Sequence, residues 1–149
     1  MECVIHATES HRAAVVRMAQ RFLSPDGPYG TRFAVDAAKV SALAAQMMGP
    51  EHLALLAMQD DQPVGMFGMF LFDHPITGER IASELCWWME PEARGGKAAI
   101  QMLRTAEAWA RDHGAEVIEM IAPDERVAAF YGKVGYERAD IHYRKVLWQ

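Results

Sequence analysis

The stretch that most limits what this chain can fold into runs from residue 81 to 121. Residues 81–89, IASELCWWM, make an apolar run of strand length, which Pro91, Gly95 and Gly96 interrupt. From there to residue 113, Ile100, Leu103, Ala106 and Ala110 recur at helical spacing, with Met102 and Trp109 widening the stripe. Gly114 closes that helix, and residues 116–121 alternate as a second strand. A strand, a crossover helix and a strand in succession call for a parallel pair with the helix covering it.

The chain before this unit has a different rhythm. Strand candidates at 52–58, 63–72 and 81–89 are separated only by the short turn segments DDQP and DHPITGE, the pattern of an antiparallel meander. Gly65 and Gly68 signal a bulge or a close backbone contact within it. Residues 2–7 read as a short strand, after which Thr8 or Ser10 can cap a helix with Val15, Val16, Ala19, Phe22 and Leu23 on its apolar side. SPDGPYGT, residues 24–31, is a loop, and a second helix over 35–48 stops at Gly49-Pro50.

Downstream, Asp124 begins a short helix through Val134, and Gly135 introduces a last extended stretch to Leu147. The expected order is β-α-α-β-β-β-α-β-α-β. It describes an α/β fold with one mixed sheet, antiparallel early and parallel around the helix that starts at Gly96, with helices on its faces.

Of the 149 residues, 51% are apolar, enough for one core, so a single domain over 1–149 is expected. No run approaches the roughly 18–20 apolar residues of a membrane span, and charged residues and histidines interrupt the first 23 positions, so neither a signal peptide nor a membrane partner is expected. Cys3 and Cys86 form no CxxC pair, which argues against a disulfide framework or a zinc knuckle and for a reduced, cytoplasmic setting. The net charge is −5 with basic residues dispersed, which excludes a general drive towards nucleic acid. The six histidines show neither i, i+4 pairing nor HExxH, so no metal is expected.

The turn within MEPEARGGKAAIQML, residues 89–103, holds the first chemical signal. A chain delivered through glycines into a helix leaves backbone N–H groups unpaired at the positive end of the helix dipole, a place suited to phosphate. A nucleotide-triphosphate loop would need Gly where Pro91 stands and Ser or Thr where Ala98 stands, and no GxGxxG is present.

The order of elements and the motifs resemble the GNAT superfamily of acyl-CoA-dependent N-acetyltransferases, over nearly the whole chain and most densely from residue 84 to 146. The superfamily signature at this turn is Gln or Arg, two residues, Gly, one residue, then Gly or Ala. Here it meets Arg94-Gly95-Gly96-Lys97-Ala98-Ala99, with Arg94 and Ala99 in place and Lys97 where the first signature Gly is expected. The resemblance implies that Arg94, Gly95, Gly96, Lys97, Ala98 and Ala99 cradle the pyrophosphate of acetyl-CoA. Lys97 would shift the close backbone approach to Gly96 while adding its own charge.

By the same resemblance, Trp87, Trp88 and Met89 end a fourth strand that splays from its neighbour and receives the pantetheine arm. Two adjacent tryptophans on a strand face opposite sides. A second superfamily motif, Asn, six residues, then Tyr, is matched in spacing by Asp124, ERVAAF and Tyr131. This implies that Tyr131 protonates the departing thiolate and that Asp124 occupies the position of a cofactor-contacting Asn, although an ionised carboxylate cannot donate.

Acyl transfer to an amine also calls for a base. Glu84 is the lone carboxylate in an apolar strand, where burial would raise its pKa towards neutrality, and the superfamily keeps bases at such a position. Glu119 and a water chain are the alternatives. The regions that set acceptor choice in the superfamily correspond to the loop with Asp26 and Tyr29 and to residues 137–143.

The expectation is therefore an N-acetyltransferase that moves an acetyl group from acetyl-CoA to a primary amine of a small molecule or protein, with the homodimer left open. A non-catalytic acyl-CoA-binding module of the same fold is the alternative. Lys97 and Asp124 favour it, and Tyr131 speaks against it.

Overall fold

The computed structural model describes residues 1–25, 27 and 34–147. The meander begins where the charges place it. β2 (Leu53–Gln59) turns into β3 (Gln62–Asp73) through Asp60 and Asp61, both at positive φ, 47° and 62°. Two left-handed residues twist the chain in the sense of the flanking strands, and a short polar side chain tolerates that conformation. β1 (Glu2–His6) pairs antiparallel with β2, and β4 (Arg80–Met89) with β3.

Three helices pack on this sheet. α1 (Arg12–Leu23) follows a short 3₁₀ turn whose entry is tied by the Thr8 N–H donating to His11 Nδ1 at 3.1 Å. α2 (Ala37–Met47) is capped by Asp36, whose Oδ1 accepts from the N–H groups of Ala38 and Lys39. α3 (Lys97–Asp112) is closed by Gly114 at φ 76°. Then β5 (Val117–Glu119) pairs parallel with β4, and the five strands lie in the order β1-β2-β3-β4-β5. α4 (Glu125–Lys133) is capped by Asp124, with Oδ1 accepting from Val127 N–H at 2.9 Å.

Strand periodicity divides the core. On one face, Leu53, Leu55, Ala57, Phe67 and Met69 pack with Ala98, Met102, Ala106 and Ala110 of α3. On the other, Leu56, Met66 and Trp88 pack with Met18 and Phe22 of α1. Both faces of the middle strands are covered, which is why their sequences read as nearly continuous apolar runs.

The two strand glycines mark two irregularities. The β2–β3 register shifts after the Ala57–Gly65 pair, and the β3–β4 register shifts after Gly68, which pairs with Cys86 while Met69 pairs with Glu84. Leu85 is the extra residue of the second shift, a bulge in β4.

Two expectations are corrected. The second strand of the parallel unit is three residues long rather than six, because the backbone of Ile121 leaves the ladder for side chains. Its N–H donates to Glu84 Oε2 at 3.0 Å, and its carbonyl accepts from Tyr131 at 3.5 Å. The final strand of the expected order is not formed among the described residues: 137–147 join no ladder. Alternation in that stretch specifies an extended chain, but pairing needs a sheet edge.

Gly65 tests the packing of β3 on β4. A Cβ there would run into Met89 Sδ and stand 3.1 Å from the Trp88 carbonyl oxygen and 3.2 Å from Ala57 Cβ. Gly65→Val is expected to lower unfolding free energy by about 1–3 kcal/mol, measured by urea denaturation, and an unchanged midpoint would show that β3 and β4 have room to separate.

Candidate active site

The site is built around the C-terminal half of β4. The Leu85 bulge reverses the alternation locally, so that Glu84, Trp87 and Met89 share the face towards α3 and α4, although Glu84 and Trp87 are an odd number of residues apart. The two tryptophans part as strand geometry requires. Trp87 packs edge-on against Phe67, with ring centroids 5.7 Å apart, and Trp88 meets Phe22 of α1 on the opposite face at 6.5 Å.

α4 brings Tyr131 to this face. The tyrosine is buried, its ring lies 6.4 Å from that of Trp87, and its hydroxyl donates to Glu84 Oε2 at 3.3 Å. Glu84 is the one buried acidic residue among those described, 6% exposed. Burial pushes its carboxyl up from 4.5 to about 7, opposed by the hydrogen bonds from Ile121 and Tyr131. Glu84 and Tyr131, 47 residues apart in sequence, thus form one hydrogen-bonded unit with the Ile121 amide. Glu119 is exposed on β5.

At the end of β4 the chain passes through a short 3₁₀ turn and Arg94 into Gly95, at φ 80°, and then Gly96, the residue before α3. A Cβ on Gly95 would meet nothing, so glycine is required there by backbone conformation alone. No side chain caps α3, which leaves the amides of its first turn, beginning at Lys97, open at the positive end of a 16-residue helix. Lys97 is exposed beside them, Ala98 is buried and Ala99 half-buried. Such an end has the chemistry to hold a phosphate group.

The structure gives Arg94 a second task. Its Nε donates to the Met89 carbonyl at 3.0 Å, and its guanidinium lies over the Trp88 ring at 4.9 Å. Arg21 of α1 approaches the same ring at 5.9 Å and pairs with Glu90 at 2.6 Å, fastening α1 to the end of β4. This cluster was not legible in sequence, since nothing local connects Arg21 to Trp88. Asp124 spends its carboxylate on the α4 cap. Asp26 and Tyr29 lie outside the described residues.

The site thus combines a mixed sheet whose parallel pair ends after three positions, an open helix end beside that pair and a buried Glu–Tyr contact. The model of the acetyltransferase (GNAT) family matches residues 15–136. An aminoalkylphosphonate N-acetyltransferase from Salmonella typhimurium is 30% identical over 106 residues, covering 70% of this chain and 69% of the relative.

Among solved structures, a predicted acetyltransferase from Clostridium acetobutylicum with acetyl-CoA superposes with a TM-score of 0.81 at 18% identity, over 99% of this chain and 97% of the other. An aminoglycoside antibiotic 6'-N-acetyltransferase from Acinetobacter haemolyticus gives 0.72 at 17% identity, over 97% and 99%. At such identities the structures speak for the fold. The chain belongs to the acetyltransferase (GNAT) family. It is an N-acetyltransferase with acetyl-CoA as co-substrate, and the non-catalytic module is not favoured. No helix among the described residues is long and apolar enough to cross a membrane.

The burial of Glu84 has a measurable signature. Unfolded, the carboxyl ionises near 4.5; folded, near 7, so its contribution to stability is complete below 4.5 and is lost as pH rises through 7. The loss amounts to about 3 kcal/mol. Glu84→Gln is expected to remove it, so that the stability difference between wild type and variant changes by that amount between pH 4 and 8 in denaturant titrations. A pH-independent difference would mean that Glu84 titrates normally in the fold.

Proposed function

We propose that Glu84 and Tyr131 carry the proton transfers of acetyl transfer, and that the open turn of Arg94, Gly95, Gly96, Lys97, Ala98 and Ala99 holds the acetyl-CoA pyrophosphate. The observation that carries this reading is the buried contact between Tyr131 and Glu84, 3.3 Å long, on the face of β4 that Trp87 and Met89 share. As an amine attacks the thioester carbonyl, the C–S bond breaks and the sulfur needs a proton. Tyr131 supplies it. The nitrogen loses a proton to Glu84 through water, and Glu84 returns one to Tyr131 across their hydrogen bond. The net result is one proton moved from nitrogen to sulfur, with both side chains restored.

A carboxyl titrating at about 7 suits this exchange, because it both accepts and returns a proton near neutral pH. The backbone of Trp87, Trp88 and Met89 at the end of β4 would serve the developing oxyanion and the pantetheine arm. Transfer is direct in this reading: Cys86 packs on the α1 side of the sheet, away from Glu84 and Tyr131, and burial pushes its thiol up to about 12. For the acceptor we favour the primary amine of a small molecule. The curated relative is named for aminoalkylphosphonates and one solved neighbour for aminoglycosides, so the reading extends to the amine and not to the rest of the molecule.

Tyr131→Phe is expected to lower kcat by about 10²-fold or more while acetyl-CoA binding, measured by calorimetry, changes little. Glu84→Gln is expected to flatten the acid limb of kcat/KM, centred near pH 7 in the wild type. Wild-type protein that binds acetyl-CoA yet releases no CoA across an amine panel would return the reading to a binding module. Full activity of the phenylalanine variant would exclude Tyr131 as the acid.

Lys97→Ala isolates the phosphate turn. Because the side chain is exposed and outside the proton relay, KM for acetyl-CoA is expected to rise several-fold with kcat nearly unchanged, more so at low salt. No change in KM would show that the backbone amides alone hold the pyrophosphate.

A further inference from the structure

α4 carries Tyr131 and fully buries no other residue. A nine-residue helix seated by one buried side chain needs further ties to hold that side chain to a fraction of an ångström. The separation matters here: the Tyr131 hydroxyl stands 3.3 Å from Glu84 Oε2 and 3.5 Å from the Ile121 carbonyl, both long for a hydroxyl donor. A drift of about half an ångström would break both.

Tyr136, half-buried just beyond α4, supplies ties of three kinds. Gly135, at φ 97°, ends the helix in a left-handed turn, in which the Tyr136 N–H donates to the Tyr131 carbonyl at 3.0 Å and the Gly135 N–H to the Gly132 carbonyl at 3.4 Å. That closure brings residues 131 and 136 together, and their rings lie 5.4 Å apart. The Tyr136 hydroxyl then crosses to α3, donating to Glu107 Oε1 at 3.0 Å. Burial, with the Glu107 carboxylate beside it, pushes this hydroxyl above the ordinary tyrosine range, so it remains a donor at neutral pH. α3 is a firm anchor, because Ala98, Met102, Ala106 and Ala110 bury its apolar stripe on the sheet that carries Glu84.

We propose that Tyr136 is a positioning residue for acetyl transfer: on the reading of Tyr131 as the acid, the bond from Tyr136 to Glu107 sets the distance between Tyr131 and Glu84. The contacts close a circuit from Glu84 on β4 through Tyr131, Tyr136 and Glu107 to α3, and from α3 back to the sheet. Without the Glu107 bond, the end of α4 is free to pivot about Tyr131, and the hydroxyl swings away from Glu84. Tyr136→Phe keeps the backbone closure and the ring contact and removes this bond alone.

The test is steady-state CoA release by Tyr136→Phe, Glu107→Leu and Glu107→Gln. The first two are each expected to lower kcat about tenfold, with KM for acetyl-CoA and the circular dichroism spectrum unchanged. Glu107→Gln, whose amide oxygen still accepts a hydrogen bond, is expected to keep most of the activity. In a Tyr131→Phe background, Tyr136→Phe is expected to cost nothing more, because it acts through a hydroxyl already removed. Wild-type kcat in Tyr136→Phe, a Glu107→Gln as impaired as Glu107→Leu, a loss that appears in KM for acetyl-CoA instead of kcat, or a further tenfold loss in the Tyr131→Phe background would each overturn the proposal. Failure of the acid assignment reads differently: Tyr131→Phe alone would be fully active, and the proposal would fall with it.

Discussion

The structure depends on β4 being held from four directions at once. β3 pairs with it antiparallel and β5 parallel, α1 covers Trp88 on one face, and α3 covers Met89 on the other. An apolar strand can occupy that position because nearly every side chain it carries leaves water. A single inserted residue, Leu85, then re-aims the half that leads to the α3 turn. Remove the bulge, and Glu84 and Trp87 would project to opposite faces.

A buried carboxyl in such a strand is costly unless it is neutral or hydrogen-bonded. Glu84 meets both conditions: its carboxyl titrates near 7, and Ile121 and Tyr131 donate to it. The same two bonds shorten β5, since the Ile121 backbone that would have continued the ladder is turned to the side chains instead. The divergence of the parallel pair and the placement of the titratable group are therefore one structural event.

Much of this was legible locally. Gly95 and Gly114 sit where the chain needs positive φ, Asp36 and Asp124 cap the helices they precede, and Glu84 stands out as the one charge in an apolar run. Asp124 was legible as a helix start and, by resemblance, as a cofactor contact; its carboxylate is engaged in the first of these. The Arg21–Trp88–Arg94 cluster and the Ile121 amide were not legible, because each depends on a meeting between elements remote in the chain. The last strand was overestimated for the same reason: alternation is a local property, and pairing is not.

The sequence by itself determined the meander, the crossover helix, the glycine turn and the Asp124–Tyr131 spacing, because periodicity, caps and breakers act within a few residues. Only the tertiary structure decided that Leu85 is the bulged residue, that Glu84 and Tyr131 share a hydrogen bond and that β5 stops at Glu119. Those outcomes come from competition for the same backbone and burial by groups far apart in the chain, and no local pattern records which of them wins.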